Sequence, residues 1–305
     1  MSGRVLHGTS VECARGLAED TPDAVVSALL VLKPGIALGV SVAGFAGMAL
    51  AGGGLPDPSS GMTTVACILM AAMGSAAMNV VLEAGTDLSM SRLAKRNRAL
   101  SSLGRRAVLG VGAALVAASL AVSYHFLNAE ATLLIIAASA SYTILYTLCL
   151  KRRSPYGTVA GGIPGALPVL IGYASVKPSI GLDGLILFSL MLAWQPPHFL
   201  ALALKYRGDY DAAGLPSMPS AFGEPYTKTF IFIYATALMP LVAALWSFGY
   251  LSAWSGATGC LLTMLYLWSS GHDIFRTKMY GRAFAVSILY IIALMGIVIA
   301  DAGLT

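Results

Sequence analysis

Charge is scarce in this sequence. Asp, Glu, Lys and Arg together make up 11% of 305 residues, where a soluble domain carries about a quarter. That shortfall excludes an ordinary water-facing surface over most of the chain. Strand-forming alternation is also lacking, which argues against a transmembrane β-barrel. Cysteines number four (Cys13, Cys67, Cys149 and Cys260) and none forms a C-x-x-C pair. A zinc site or a disulfide framework is therefore not expected, and the cysteines read as small packing residues. Residues 1–24 contain Glu12, Glu19, Asp20 and Asp23 and have no apolar core. They do not read as a cleavable signal, so residues 1–24 are expected to be a polar cytoplasmic segment and residues 25–305 the intramembrane domain.

Apolar runs take up most of the rest, and 57% of the chain is hydrophobic. A spanning helix needs about 20 apolar residues. Nine segments meet that length, near 25–51, 62–84, 106–126, 130–150, 157–176, 182–204, 228–250, 252–271 and 283–302. The expected fold is all-α, a polytopic bundle of about nine transmembrane helices. With the N-terminus inside, 18 of the 19 basic residues fall in inside segments, and Lys177 alone falls outside. The positive-inside rule then fixes a cytoplasmic N-terminus. The net charge of +5 is thereby explained as topogenic, and no nucleic-acid partner is expected.

Two inside loops are richer than the rest, 84–106 and 205–228. The second apolar segment runs into the first of these as Asn79-x-x-x-Glu83-x-x-x-Asp87. Residues four apart on a helix drift by about 40° per step, so the three lie on one stripe. Hard oxygen ligands so arranged suit Mg²⁺, which takes one or two carboxylates plus substrate phosphates. Acidic groups at membrane depth are functional by default, and the competing reading is a solvated helix end. Gly85 offers a point where the helix would unwind. In the other rich loop Asp209 and Asp211 face the same side of the membrane. Two acidic clusters at one mouth are the pattern expected of a diphosphate held through Mg²⁺.

Basic residues accompany them. Arg92 and Arg96 follow the first cluster at one-turn spacing, and Lys151, Arg152 and Arg153 follow the fourth segment. Arg and Lys neutralise diphosphate oxygens. Arg105, Arg106 and Arg153 read better as topogenic charges. Gly161-Gly162-Ile163-Pro164-Gly165-Ala166-Leu167-Pro168 is expected to distort the fifth helix. The sixth ends in Trp194-Gln195-Pro196-Pro197-His198-Phe199, an irregular lining for a cavity. Three roles for His198 stay open: a proton-transfer group, a contact to haem iron or propionate, and a core hydrogen bond.

These motifs resemble the UbiA superfamily of intramembrane prenyltransferases, from about Leu32 to the last helix. Its first motif, N-x-x-x-D/E-x-x-x-D-x-x-M-x-R, is matched by Asn79, Glu83, Asp87, Met90 and Arg92. Gly161 to Gly172 matches its G-G-x-P-G-A-x-P stretch. Trp194 to Phe199, followed by Asp209-Tyr210 and Ala213-Gly214-Leu215-Pro216, resembles the branch of the superfamily that prenylates haem, as does the final run containing Phe284 and Ser287. The chain departs from the pattern at Gly35, Leu93, Ala99 and Ser217, and the R-T-x-x-R-P-L element aligns through either Arg96 or Arg98.

The resemblance implies transfer of farnesyl from farnesyl diphosphate to a vinyl group of haem B, with water adding, to give haem O for terminal oxidase assembly. It implies Mg²⁺ held by Asn79, Glu83, Asp87 and Asp209, and diphosphate held by Arg92, Arg96, Lys151 and Arg152. Trp194 and His198 are placed on the haem side. Membrane lipid, and haem A synthase or oxidase-assembly proteins downstream, are the implied partners, in a bacterial-type inner membrane with cytoplasmic active-site loops. Two other readings stand beside it: a prenyltransferase acting on an aromatic or quinone precursor, and a non-enzymatic haem-binding or transport protein.

Overall fold

A computed structural model describes residues 23–304. Most of the expected polar leader, with Arg4, His7, Cys13 and Arg15, lies outside the described residues. The helices in chain order are α1 (Ala24–Leu32), α2 (Pro34–Gly52), α3 (Pro58–Asp87), α4 (Ala94–Leu103), α5 (Arg105–Phe126), α6 (Ala129–Ala140), α7 (Gly157–Ala160) and α8 (Gly162–Val176). They continue with α9 (Leu182–Lys205), α10 (Arg207–Ala212), α11 (Met218–Thr236), α12 (Leu238–Ser247), α13 (Ala253–Gly271) and α14 (Tyr280–Leu304). No strand occurs among the described residues. Eight helical stretches among the described residues are long and apolar enough to cross a membrane. The ninth expected stretch forms α13, a 19-residue helix packed against α12 and α14, with a lower apolar content owing to its serines and threonines.

Three expected boundaries need correction. The first segment is not one helix. Lys33 adopts a left-handed conformation (φ 52°) and separates α1 from α2. Pro34 is the cause: it has no N–H to donate, and its ring drives the preceding residue out of the right-handed region. The seventh span begins at Met218 rather than near residue 228 and bends at Gly223 (φ 83°), so Lys228 sits inside α11 and is buried. The loop 84–106 is largely helical, since it contains α4.

Close approaches set the bundle's shape. A Cβ on Gly172 would overlap the carbonyl oxygen of Gly44, and one on Gly74 would come within 2.6 Å of the Gly112 oxygen. These glycines let α2 lie on α8 and α3 on α5, the small-residue packing that helices use in lipid. At α3 the N-cap Asp57 accepts from the Ser59 and Ser60 amides at 3.0 and 3.2 Å, and Pro58 opens the helix. After Ala140, α6 continues as a π-helical stretch over Ser141–Leu150, in which the Thr147 hydroxyl donates to the Tyr142 carbonyl at 2.8 Å. Such widened turns gather at functional sites. The core runs between α9, α2, α12 and α14, around Leu187, Leu190, Leu238, Val242 and Leu294.

Candidate active site

The end of α3, the π-helical stretch and the segment after α9 meet at one end of the bundle. Helix α3 continues unbroken through Gly85 to Asp87, so the expected stripe survives intact. Asn79, Glu83 and Asp87 are each at least 98% buried. Each carries a resident partner. The Lys33 ammonium donates to the Asn79 amide oxygen at 3.1 Å, and the Asn79 amide donates to the Thr147 hydroxyl at 3.0 Å. Lys151 Nζ lies 2.6 Å from Glu83 Oε1. Arg96 Nη2 pairs with Asp87 Oδ2, and the Asn97 amide donates to the Asp87 carbonyl at 2.8 Å.

The short helix α10 brings Asp209 to the same mouth. The Ser91 hydroxyl donates to Asp209 Oδ1 at 3.0 Å, the Arg92 amide to Oδ2 at 3.4 Å, and Arg92 Nε stands 3.5 Å from Oδ2. The Arg92 guanidinium also sits 4.8 Å from the centre of the Tyr206 ring and 5.2 Å from that of Tyr210. Arg152 is exposed and donates to the Leu82 carbonyl at 3.1 Å, on the outer edge of the same region. Asp211 pairs instead with Arg207 at 3.7 Å, away from the α3 stripe. Just outside the spanning helices, burial, with Arg96 and Lys151 close by, lowers the Lys33 ammonium to about 7.

This is a site of paired opposites. Three carboxylates are each held by a lysine or arginine, and no three His, Cys, Asp or Glu side chains converge on one point among the described residues. Two buried carboxylate oxygens of the site make no hydrogen bond, Glu83 Oε1 and Asp87 Oδ1, and only the first has an ammonium beside it. Leaving a buried carboxylate oxygen unsatisfied costs about 1–3 kcal/mol or more. An orphaned hard oxygen beside a second carboxylate and an amide oxygen fits a divalent cation such as Mg²⁺.

Deeper in the bundle, α9 and α14 build the second expected half. The Trp194 indole donates to the Ser287 carbonyl at 2.8 Å, and His198 Nδ1 lies 2.7 Å from the Ser287 hydroxyl oxygen. The His198 ring stacks between Trp194 (centroids 4.5 Å apart) and Phe284 (4.3 Å). The sequence motif joins Trp194 to His198 but carries no signal that Ser287 is their common anchor. Nor do the motifs mark Lys33, Thr147 or Ser91 as partners of the acidic residues. Lys33 was legible only as the basic residue before a proline, and Thr147 had no local signal.

A bundle of apolar helices that gathers paired acids and bases at one mouth is the architecture of an intramembrane enzyme. The model of the UbiA prenyltransferase family matches residues 40–300. The chain belongs to that family, and it is a prenyltransferase and an integral, multi-pass membrane protein. Protoheme IX farnesyltransferase of Geotalea uraniireducens is 44% identical over 254 residues, 83% of this chain and 98% of the relative. The same-named protein of Aquifex aeolicus is 36% identical, covering 90% of this chain and 94% of its own. Among solved structures, a UbiA homolog from Archaeoglobus fulgidus bound to GPP and Mg²⁺ superposes with a TM-score of 0.64 at 15% identity, covering 90% of this chain and 99% of its own.

Proposed function

We propose that the protein transfers the farnesyl group of farnesyl diphosphate to a vinyl group of haem B, with water adding to the adjacent carbon, and so makes haem O. The observation that carries this reading is the buried mouth in which Lys151–Glu83, Arg96–Asp87 and Arg92–Asp209 are paired around the orphaned Asp87 oxygen. The names of relatives up to 44% identical over nearly their whole length supply the donor and the acceptor. The crowded mouth is expected to face the cytoplasm of a bacterial-type inner membrane, in keeping with the excess of basic residues there.

Asn79, Glu83, Asp87 and Asp209 would hold Mg²⁺. When bound, that ion supplies charge neutralisation for a leaving diphosphate. The cations have the other task. As the diphosphate enters, Arg92, Arg96 and Lys151 exchange their carboxylates for phosphate oxygens, and Arg152 completes the rim. Charge-assisted bonds of this kind are about twice as strong as neutral ones, and they strengthen as the allylic C–O bond ionises and negative charge gathers on pyrophosphate. The apolar interior takes the farnesyl tail and keeps bulk water from the allylic cation. The Trp194–His198–Phe284 stack offers a planar, aromatic wall for the acceptor.

The test is an assay of purified protein with haem B, farnesyl diphosphate and Mg²⁺, following pyrophosphate and the mass of the porphyrin. A gain of one hydroxyethylfarnesyl group is expected. Pyrophosphate release only with an aromatic or quinone precursor would move the acceptor, and the absence of release with every acceptor would leave a haem-binding or transport role.

A further inference from the structure

Gln195 stands between the two halves of the site and takes no part in either. It is 3% exposed, its polar atoms are not fully occluded, and its amide makes no hydrogen bond within the described protein. A side chain this enclosed, whose amide keeps an open edge and finds no protein partner, has room for a small polar guest. The glycines of α8 make room for it. A Cβ on Gly165 would overlap the Gln195 amide nitrogen, and one on Gly162 would come within 3.0 Å of the Gln195 Cβ. The neighbouring Gly161 packs on Tyr146, and the residue after Tyr146, Thr147, holds Asn79. Gln195 thereby packs on the same glycine run of α8 that borders the stretch holding the inner end of the acidic stripe.

What surrounds the amide suits water. Pro196 and Pro197 lie inside α9, and neither can donate to the carbonyls of Leu192 and Ala193 one turn back. One turn on, at i+3 and so on a neighbouring part of the same face, stands His198. Its tautomer follows from its partner. The Ser287 hydroxyl donates its only proton to the Phe284 carbonyl at 2.6 Å, so it accepts from His198 Nδ1–H. The imidazole Nε2 therefore carries a lone pair. A buried water needs two to four polar partners, and the amide, the freed carbonyls and the imidazole lone pair lie within two turns of one another along α9.

We propose that Gln195 positions the water that adds to the acceptor and that His198 Nε2 takes its proton. The inference rests on the haem-farnesylating reading above. In that reaction the allylic C–O bond breaks and its electron pair leaves with pyrophosphate. The vinyl π pair forms the new C–C bond, which leaves the carbon next to the porphyrin cationic. Water held on Gln195 bonds to that carbon through oxygen, and the surplus proton passes to His198 Nε2 and then to solvent as product leaves. Without the held water, the same cation loses a proton and gives an alkene, a product lighter by one water.

The experiment reads the ratio of hydroxylated to dehydrated farnesyl-porphyrin by mass spectrometry, which does not depend on how much protein folds. For Gln195→Met the ratio is expected to fall by about tenfold or more, because positioned proton transfer contributes about a hundredfold or more. Gln195→Glu, which still accepts from water, is expected to restore it. Gln195→Asn, which withdraws the amide by one methylene, gives the same reading should the methionine variant not accumulate. A wild-type ratio in both Gln195→Met and Gln195→Asn overturns the inference. A wild-type protein that adds no farnesyl to haem, yet releases pyrophosphate with another acceptor, overturns the functional reading instead.

Discussion

Lys151 Nζ lies 2.6 Å from Glu83 Oε1 across 68 residues of sequence, and both side chains are at least four-fifths removed from water. The π-helical stretch before Lys151 makes the meeting possible, since it also sets Thr147 against Asn79. Breaking a buried pair by removing one partner costs about 3–5 kcal/mol, because the other charge stays behind. Lys151→Met is therefore expected to lower both thermal stability and turnover, the latter by about 10²–10³-fold as for a lost charge-stabilising donor. Glu83→Gln in the same chain relieves the uncompensated charge. The double variant should regain stability while remaining inactive, and equal stability of single and double variants would show that the pair is not coupled.

The orphaned Asp87 oxygen leads to a metal prediction. Chelation by EDTA is expected to abolish pyrophosphate release, and added Mg²⁺ to restore it. Asp87→Asn keeps the side chain's shape and loses the charge, so it should raise the Mg²⁺ concentration needed for half-maximal rate. Asp209→Ala should lower turnover by about 10²-fold or more, in the range of one lost transition-state contact. Full activity of either variant would remove that residue from the metal site.

The two alignments open at the basic element separate in the structure. Arg96 pairs with Asp87, so Arg96→Gln is expected to raise KM for farnesyl diphosphate and lower kcat together. Arg98 is exposed, and Arg98→Gln should leave both constants within about twofold, as for surface changes worth about 0.5 kcal/mol. Steady-state rates with farnesyl diphosphate varied at saturating haem decide between them.

The acidic stripe was legible in the sequence because one helix carries it, and helical spacing alone places Asn79, Glu83 and Asp87 on one face. The bundle and its charged mouth were legible for a similar reason, as apolar length and basic bias are local properties. The partners were not. Lys33 meets Asn79 across 46 residues, Thr147 meets it across 68, and Ser287 meets His198 across 89. Those contacts depend on how helices pack, and no periodicity within one helix encodes them. The break at Lys33 and the early start of α11 were blurred by hydropathy, which averages over a window and does not register a single left-handed residue or a bend at Gly223.

Ser287 acts on the acceptor half alone, through the Trp194 indole and the His198 ring. Ser287→Ala keeps its backbone carbonyl for Trp194 and removes the oxygen that fixes the imidazole tautomer. Removing one partner of a buried hydrogen bond costs about 1–3 kcal/mol. The expected result is a raised KM for haem with KM for farnesyl diphosphate unchanged. An equal rise in both would place Ser287 in general packing.

Gly172 tests the frame that holds both halves together. Its Cα side faces the Gly44 backbone so closely that a single added methyl group has nowhere to go, and the obstacle is a carbonyl, which cannot rotate away as a side chain can. Helices α2 and α8 must then separate. Overpacking of this kind costs about 1–3 kcal/mol, and more where backbone must shift. Gly172→Ala is expected to lower the unfolding temperature in detergent by several degrees. Gly165→Ala, whose obstacle is the end of the Gln195 side chain, should cost less stability and alter the product ratio instead. The contrast separates a glycine that sets helix spacing from one that keeps room for a working side chain.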